Sequence, residues 1–192
     1  MASLGKLKKY RRKKFSRYKE LNEIKTKNDE AYIVLKVDSI KDILSIYSSD
    51  ERPIINDDFC DLIESKASFI PLDLPLVLEI QNNNFTSEEK ILIRKLIKNH
   101  FTLKKLSKEV DRELLSRKAR FLFTTGVICF SMIPILMQFD KLVYVKETLS
   151  IIASFSTWEY ASLMFFEYDE STEEVIRCNH LAKIRVIYDK GV

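Results

Sequence analysis

The sequence predicts an α+β membrane protein, a transmembrane helical hairpin carrying a small cytoplasmic domain of about three strands and two or three helices. Three observations lead there. Residues 121–139 (FLFTTGVICFSMIPILMQF) run for nineteen positions without a charge, and residues 149–166 (LSIIASFSTWEYASLMFF) run for eighteen with one, Glu159. As helices they would be roughly 27–29 Å long at about 1.5 Å per residue, close to the hydrocarbon thickness of a bilayer. The nine residues between them (DKLVYVKET) suffice for a turn and are too few for a domain. With 31% of the chain charged, there is too little other apolar surface to wrap two such helices inside a soluble core.

The expected organisation has six parts. Residues 1–28 are a basic, flexible tail. Residues 29–118 form a cytoplasmic α+β domain whose long helix, 87–118, leads into the membrane. Residues 119–139 are the first span, 140–148 an external loop and 149–166 the second span. Residues 167–192 return as a cytoplasmic helix and strand that rejoin the sheet.

Composition removes several function classes. The chain has three glycines, too few and too scattered for a phosphate-cradling loop. Its three cysteines, Cys60, Cys129 and Cys178, form no C-x-x-C pair and read as reduced thiols without a zinc or disulfide framework. No apolar stretch opens the sequence, so the first span is expected to serve as the targeting signal. The charge is divided: residues 1–19 hold Lys6, Lys8, Lys9, Arg11, Arg12, Lys13, Lys14, Arg17 and Lys19 and no acid, leaving 23 basic against 28 acidic residues elsewhere.

In that tail Leu7, Tyr10, Phe15, Tyr18 and Leu21 recur every three to five residues, a spacing compatible with a basic amphipathic helix. Three states fit it: a solvated tail, adsorption to anionic lipid, or contact with nucleic-acid phosphates. Residues 31–37 (AYIVLKV) are β-branched and aromatic and predict a strand. Ile40, Ile43, Leu44 and Tyr47 have helical spacing for a turn or two before Pro53. Asn56 predicts the N-cap of a helix reaching about Phe69, with Asp57 and Asp58 suiting its dipole and Phe59, Leu62, Ile63 and Ala67 as its apolar stripe. Residues 75–81 (PLVLEIQ) predict a second strand.

Thr86 and Glu89 have capping-box spacing and open the long helix. Leu92, Leu96, Leu103, Leu106, Val110 and Leu114 mark its expected seam, either against its own domain or as a short coiled coil with a second subunit. In the first span Pro134 is expected to kink the helix, and Gly126, Thr124, Thr125 and Ser131 to admit a close neighbour. Beyond the second span, 167–172 reads as an acidic loop, Ser171 and Glu174 as a capping box, and 183–188 (KIRVIY) as a third strand.

Orientation follows from the basic residues beside the spans. Lys104, Lys105, Lys108, Arg112, Arg117, Lys118 and Arg120 precede the first, whereas the connecting loop holds only Lys141 and Lys146. Both termini are therefore expected in the cytoplasm, and in a bacterium the membrane is the inner (plasma) membrane.

The segment TWEYASLMFFE, with Trp158, Glu159, Leu163, Phe165, Phe166 and Glu167, resembles the second span of an uncharacterised family of small bacterial two-span membrane proteins with a cytoplasmic N-terminal domain. The family segment reads W-E-x-x-D-L-x-F-F-E, and Ser162 stands where it has the second acid. Pro71-Leu72-Asp73-Leu74-Pro75-Leu76 is similar to its P-L-x-x-P-L strand, and His100-Phe101 to the H-F ending its helix before the first span. The resemblance extends from about residue 31 onward. It implies the two-span topology and supplies no activity.

Glu159 is the sharpest candidate residue. Counted from Phe166 it lies roughly 10 Å inside the second span. An acid at that depth is expected to be paired, protonated or wet, and it marks a functional hypothesis such as a proton or ion path. With no second acid, histidine or cation deep in either span, a structural role is favoured: a hydrogen bond to Thr124 or Thr125, or a salt bridge to Arg120. His100 and His180 lack converging ligands, and Cys178 and His180, two apart on a helix, point away from each other. No catalytic residue, cofactor or metal site is expected. The expected function is a non-catalytic membrane-anchored interaction, scaffold or regulatory subunit, with lipid and a protein partner or homo-oligomer as partners. The alternatives are an oligomeric pore or ion-conducting effector lined by Thr124, Thr125, Ser131, Ser154, Ser156 and Glu159, and a membrane-tethered nucleic-acid binder using the tail.

Overall fold

The structure, a computed structural model, describes residues 15, 24–27, 29–49, 51–81, 85–139 and 142–189. It is α+β with a four-stranded sheet, and divides into two compact units: Met1–Lys105 with Ile176–Val192, and Leu106–Val175. The nine basic residues of the tail lie outside the described residues. Phe15 and Ile24 are buried members of the core, so the 1–28 segment is not solvated throughout as expected.

In the first unit the strands β1 (Lys25–Lys27), β2 (Glu30–Lys36), β3 (Leu76–Gln81) and β4 (Arg185–Asp189) lie in the order β1-β2-β3-β4. β1 is a strand where a flexible tail was expected. Lys27 pairs with Glu30, so the connection is two residues long, and Asp29 takes φ 58°, a left-handed conformation that Asp tolerates. Its three residues are exposed, and Lys25 and Lys27 place charge on the edge.

β2, β3 and β4 are parallel, with Ile33 opposite Leu78 and Leu78 opposite Val186. The C-terminal strand thus rejoins the sheet as expected. Both crossovers step the same way across the sheet, and crossovers of one hand then deliver their helices to one face. On that face Ile33, Leu35, Leu78, Ile80 and Val186 share a core with Phe59 and Ile63 of α1 (Asp57–Ala67), Ile93, Ile97 and Phe101 of α2 (Ser87–Leu136), and Leu181 of α4 (Tyr168–Ala182). Asn56 caps α1 by accepting the Asp58 N–H, as its position predicted. The segment expected as a short helix before Pro53 is a 3₁₀ turn, Ile40–Asp42, boxed by Ser39 and Asp42; a β-bridge between Leu44 and Ile55 then draws the chain into a loop.

α2 runs unbroken for 50 residues, through the expected boundary at 118 and through Pro134, ending two residues beyond it. Thr86 donates its N–H to the Glu89 carboxylate at 2.7 Å and accepts the Glu89 N–H at 3.2 Å, forming the predicted capping box. The expected seam is out of phase. Ile93, Ile97 and Phe101 are fully buried, whereas Leu103, Leu106, Val110 and Leu114 are exposed. The sheet covers only the first four turns, so leucine spacing beyond Phe101 does not report burial within this unit.

The second half of the chain holds two corrections. Residues 143–148 of the expected external loop are helical, opening α3 (Val143–Ser162). The expected acidic loop at 167–172 is helical too, since a π-helical segment, Leu163–Glu167, joins α3 to α4 without a break. No Gly or Pro lies between residues 135 and 190, so nothing in the sequence stops the helix there.

Candidate functional site

The second unit is a helical hairpin whose packing can be followed residue by residue. Lys108 meets Glu174 at 2.8 Å, Lys118 meets Glu159 at 3.4 Å, and the Phe123 and Tyr160 rings lie 5.1 Å apart. A Cβ on Gly126 would lie 3.2 Å from Thr157 Oγ1, 3.6 Å from Ser156 Cβ and 3.8 Å from the Ala153 carbonyl. Rising positions on one arm meet falling positions on the other, so the arms are antiparallel. Ala119, Gly126 and Cys129 of α2 are buried, as are Ala153, Ser156 and Leu163 of the returning arm. Apart from Leu163 the buried residues are small, which lets the backbones approach closely and leaves the large side chains outside.

Those large side chains face outward in a continuous apolar surface. Phe121, Val127, Ile128, Phe130 and Ile135 on α2 are exposed, with Ile151, Phe155 and Trp158 on α3. Single exposed hydrophobics are ordinary, but this many large ones on two neighbouring helices are not. α2 is long and apolar enough to cross a membrane, and it is the one such helix among those described. α3 alone does not qualify, because Lys146, Glu147 and Glu159 all fall within its twenty residues. The apolar run 149–166 that suggested a second span is divided between α3 and the π-helical segment.

Glu159 sits elsewhere than its place in the sequence suggested. Its partner is Lys118, not Arg120, and among the described residues no hydrogen bond joins it to Thr124 or Thr125. Thr124 donates instead to the Arg120 carbonyl of its own helix at 2.8 Å. Tyr160 against Phe123 and Thr157 against Gly126 place Glu159 level with the first residues of the uncharged run, and Lys118, three residues before Phe121, reaches it from there. The acid therefore lies at the charged rim of the apolar band rather than a third of the way along it. Around this rim Phe121, Trp158, Phe165 and Phe166 are 71–75% exposed.

Four hydroxyls of the two arms are satisfied locally. Thr124, Ser131, Thr148 and Thr157 each donate to the carbonyl four residues earlier, at 2.7–2.8 Å.

The sheet unit offers little chemistry. Burial pushes the Cys60 thiol up to about 12, which keeps it protonated and unreactive. His180, on α4, is half-buried and lies 2.7 Å from the Leu74 carbonyl. A carbonyl only accepts, so the proton is on Nε2, and burial holds the imidazole below its usual pKa. Lys104 pairs with Glu64 between α2 and α1, and that carboxylate holds the ammonium above its usual pKa against the opposing cost of burial. An open cleft of about 580 Å³ lies between the 40–53 loop and the first turns of α2, lined by Ile40, Leu44, Ser45, Ser48 and Leu92 among others. Among the described residues no three His, Cys, Asp or Glu side chains converge on a metal position. No known protein family, curated protein or solved structure matches the chain.

Proposed function

We propose that residues 121–139 and 149–166 cross a bacterial inner membrane as a two-span hairpin, with the sheet unit and both termini in the cytoplasm. The observation that carries this is the inside-out hairpin, small residues within and Phe, Ile, Val and Trp without. Sheet topology supports an even number of crossings: β3 and β4 pair in one sheet, so a chain that leaves through α2 must come back. The locally bonded hydroxyls suit a medium without water, and the basic residues before 121 suit the cytoplasmic leaflet. The resemblance of 157–167 to the second span of small two-span bacterial proteins agrees.

In this reading the protein is a non-catalytic, membrane-anchored interaction, scaffold or regulatory subunit, which presents the sheet unit to a protein partner or a second copy. The pore alternative is weakened at Thr124 and Ser131, whose hydroxyl donors are spent inside their own helix. Nucleic-acid contact would rest on the tail alone. Topology is tested in intact cells by single cysteines labelled with an impermeant maleimide. Lys141→Cys should label from outside, and Lys183→Cys only after permeabilisation. The reverse pattern would overturn the cytoplasmic placement of the sheet unit, and labelling of both from one side would sink the two-span reading. In nanodiscs and planar bilayers, a conducting oligomer lost on Glu159→Ala would replace the anchor with a pore.

A further inference from the structure

Of the three cations nearest the uncharged run, Arg117, Lys118 and Arg120, two are ion-paired and one is not. Arg117 donates to Glu113 one turn earlier at 2.6 Å, and Lys118 is paired with Glu159. Lys108, further from the apolar band, is paired with Glu174. Arg120, expected to hold Glu159, makes no ion pair among the described residues; its Nε reaches only the Ser116 carbonyl of its own helix, at 3.4 Å. It is exposed, and lies between the paired cations and the first residue of the uncharged run.

Arginine stays charged at any accessible pH, and its remaining guanidinium N–H groups form a planar fork that matches two oxygens of a phosphate. A fixed cation at the edge of a bilayer is stabilised when such an anion completes it. Trp158, Phe165 and Phe166, exposed on the returning arm, are residues suited to the headgroup level. From this rim, and resting on the two-span reading, we propose that Arg120 is a binding site for the phosphate of an anionic phospholipid in the cytoplasmic leaflet. The partner is the membrane's own lipid, chosen by charge: Arg117 and Lys118 are paired with Glu113 and Glu159, whereas Arg120 has no ion pair among the described residues. The pairing of Lys118 with Glu159 is what leaves that charge over.

The test uses the full chain in mixed phosphatidylcholine and phosphatidylglycerol, released from nanodiscs into a native mass spectrometer. The wild type should retain one phosphatidylglycerol in preference to phosphatidylcholine. Arg120→Gln should lower that preference about fivefold, the weight of one basic residue at an anionic surface. Arg120→Lys should keep part of the preference, having the charge without the fork. Arg117→Gln should change it little, since its charge is balanced by Glu113. Equal losses for Arg117→Gln and Arg120→Gln would overturn the site in favour of a diffuse basic collar, and so would an unchanged preference in Arg120→Gln. The membrane reading is checked separately with Trp158, the only tryptophan in the chain. Brominated phosphatidylcholine should quench it in wild type and Arg120→Gln alike. Absence of quenching would remove the hairpin from the bilayer, and the lipid site with it.

Discussion

Gly126 is the position at which the hairpin can be pried open. An added Cβ would meet Thr157 Oγ1 at 3.2 Å, a few tenths of an ångström too close, while Ser156 Cβ at 3.6 Å and the Ala153 carbonyl at 3.8 Å are ordinary contacts. Gly126→Ala therefore sets a mild compression of one hydroxyl against the gain of about 1 kcal/mol that alanine brings to a helix interior. The net should lie within about 1 kcal/mol of zero. Gly126→Leu adds three more carbons on a face where Ser156 is only 4% exposed, so the arms must separate. Overpacking of this kind costs about 1–3 kcal/mol. The assay is unfolding of the full chain in mixed micelles by rising dodecyl sulfate, followed by far-ultraviolet circular dichroism. Thr157→Ala removes the crowded oxygen, so Gly126→Ala should be better tolerated in its presence, with a coupling of about 0.5 kcal/mol or more in a double-mutant cycle. Gly126→Leu unfolding at the wild-type midpoint would refute the packing of these helices along the small-residue seam.

Three further outcomes follow from the sheet unit. Phe101→Ala should destabilise by about 3–5 kcal/mol and Leu103→Ala by under about 0.5 kcal/mol, because the first side chain is fully buried and the second 66% exposed; denaturant midpoints of the two variants decide between this phase and the leucine seam. The folded pKa of His180 lies below its usual 6.5, so the unfolded chain binds its proton first. Its contribution should be complete above about pH 6.5 and decline as the pH falls toward the folded pKa, a slope absent from unfolding curves of His180→Gln. Thr86→Ala removes the hydroxyl that accepts the Glu89 N–H and should cost about 1 kcal/mol, read as a lowered unfolding midpoint.

Short-range chemistry was legible in the sequence wherever it acts through near neighbours. The caps at Asn56 and Thr86, the strands at 31–37, 75–81 and 183–188, and the uncharged run at 121–139 are each set by residues a few positions apart. β1 was hidden because Lys25-Thr26-Lys27 has the composition of the tail beside it. Its pairing with β2 depends on a turn whose one clear sign, Asp29 after Asn28, is two residues long. The helix through 163–172 was missed for another reason: three acidic residues suggest a solvated loop, yet a charged helix face is solvated equally well, and no Gly or Pro interrupts it.

By itself, then, the sequence determined the caps at Asn56 and Thr86 but not the one expected at Ser171, which lies inside a continuous helix; it also determined three of the four strands, the long apolar helix and the alternation of charged rim and uncharged band, all of them local properties. Only the tertiary structure decided the register between the two hairpin arms. That register is set by Gly126 lying against Ala153, Ser156 and Thr157, a fit of glycine backbone to small side chains and one carbonyl that no spacing within one helix encodes. Register in turn assigned Glu159 to Lys118, lifted the acid to the rim of the apolar band, and left Arg120 with its charge unspent. The same holds for α2, where the burial against the sheet ends at Phe101, although the leucines continue. Burial and pairing depend on which surfaces meet, and a single helix carries the same pattern whether or not a partner reaches it.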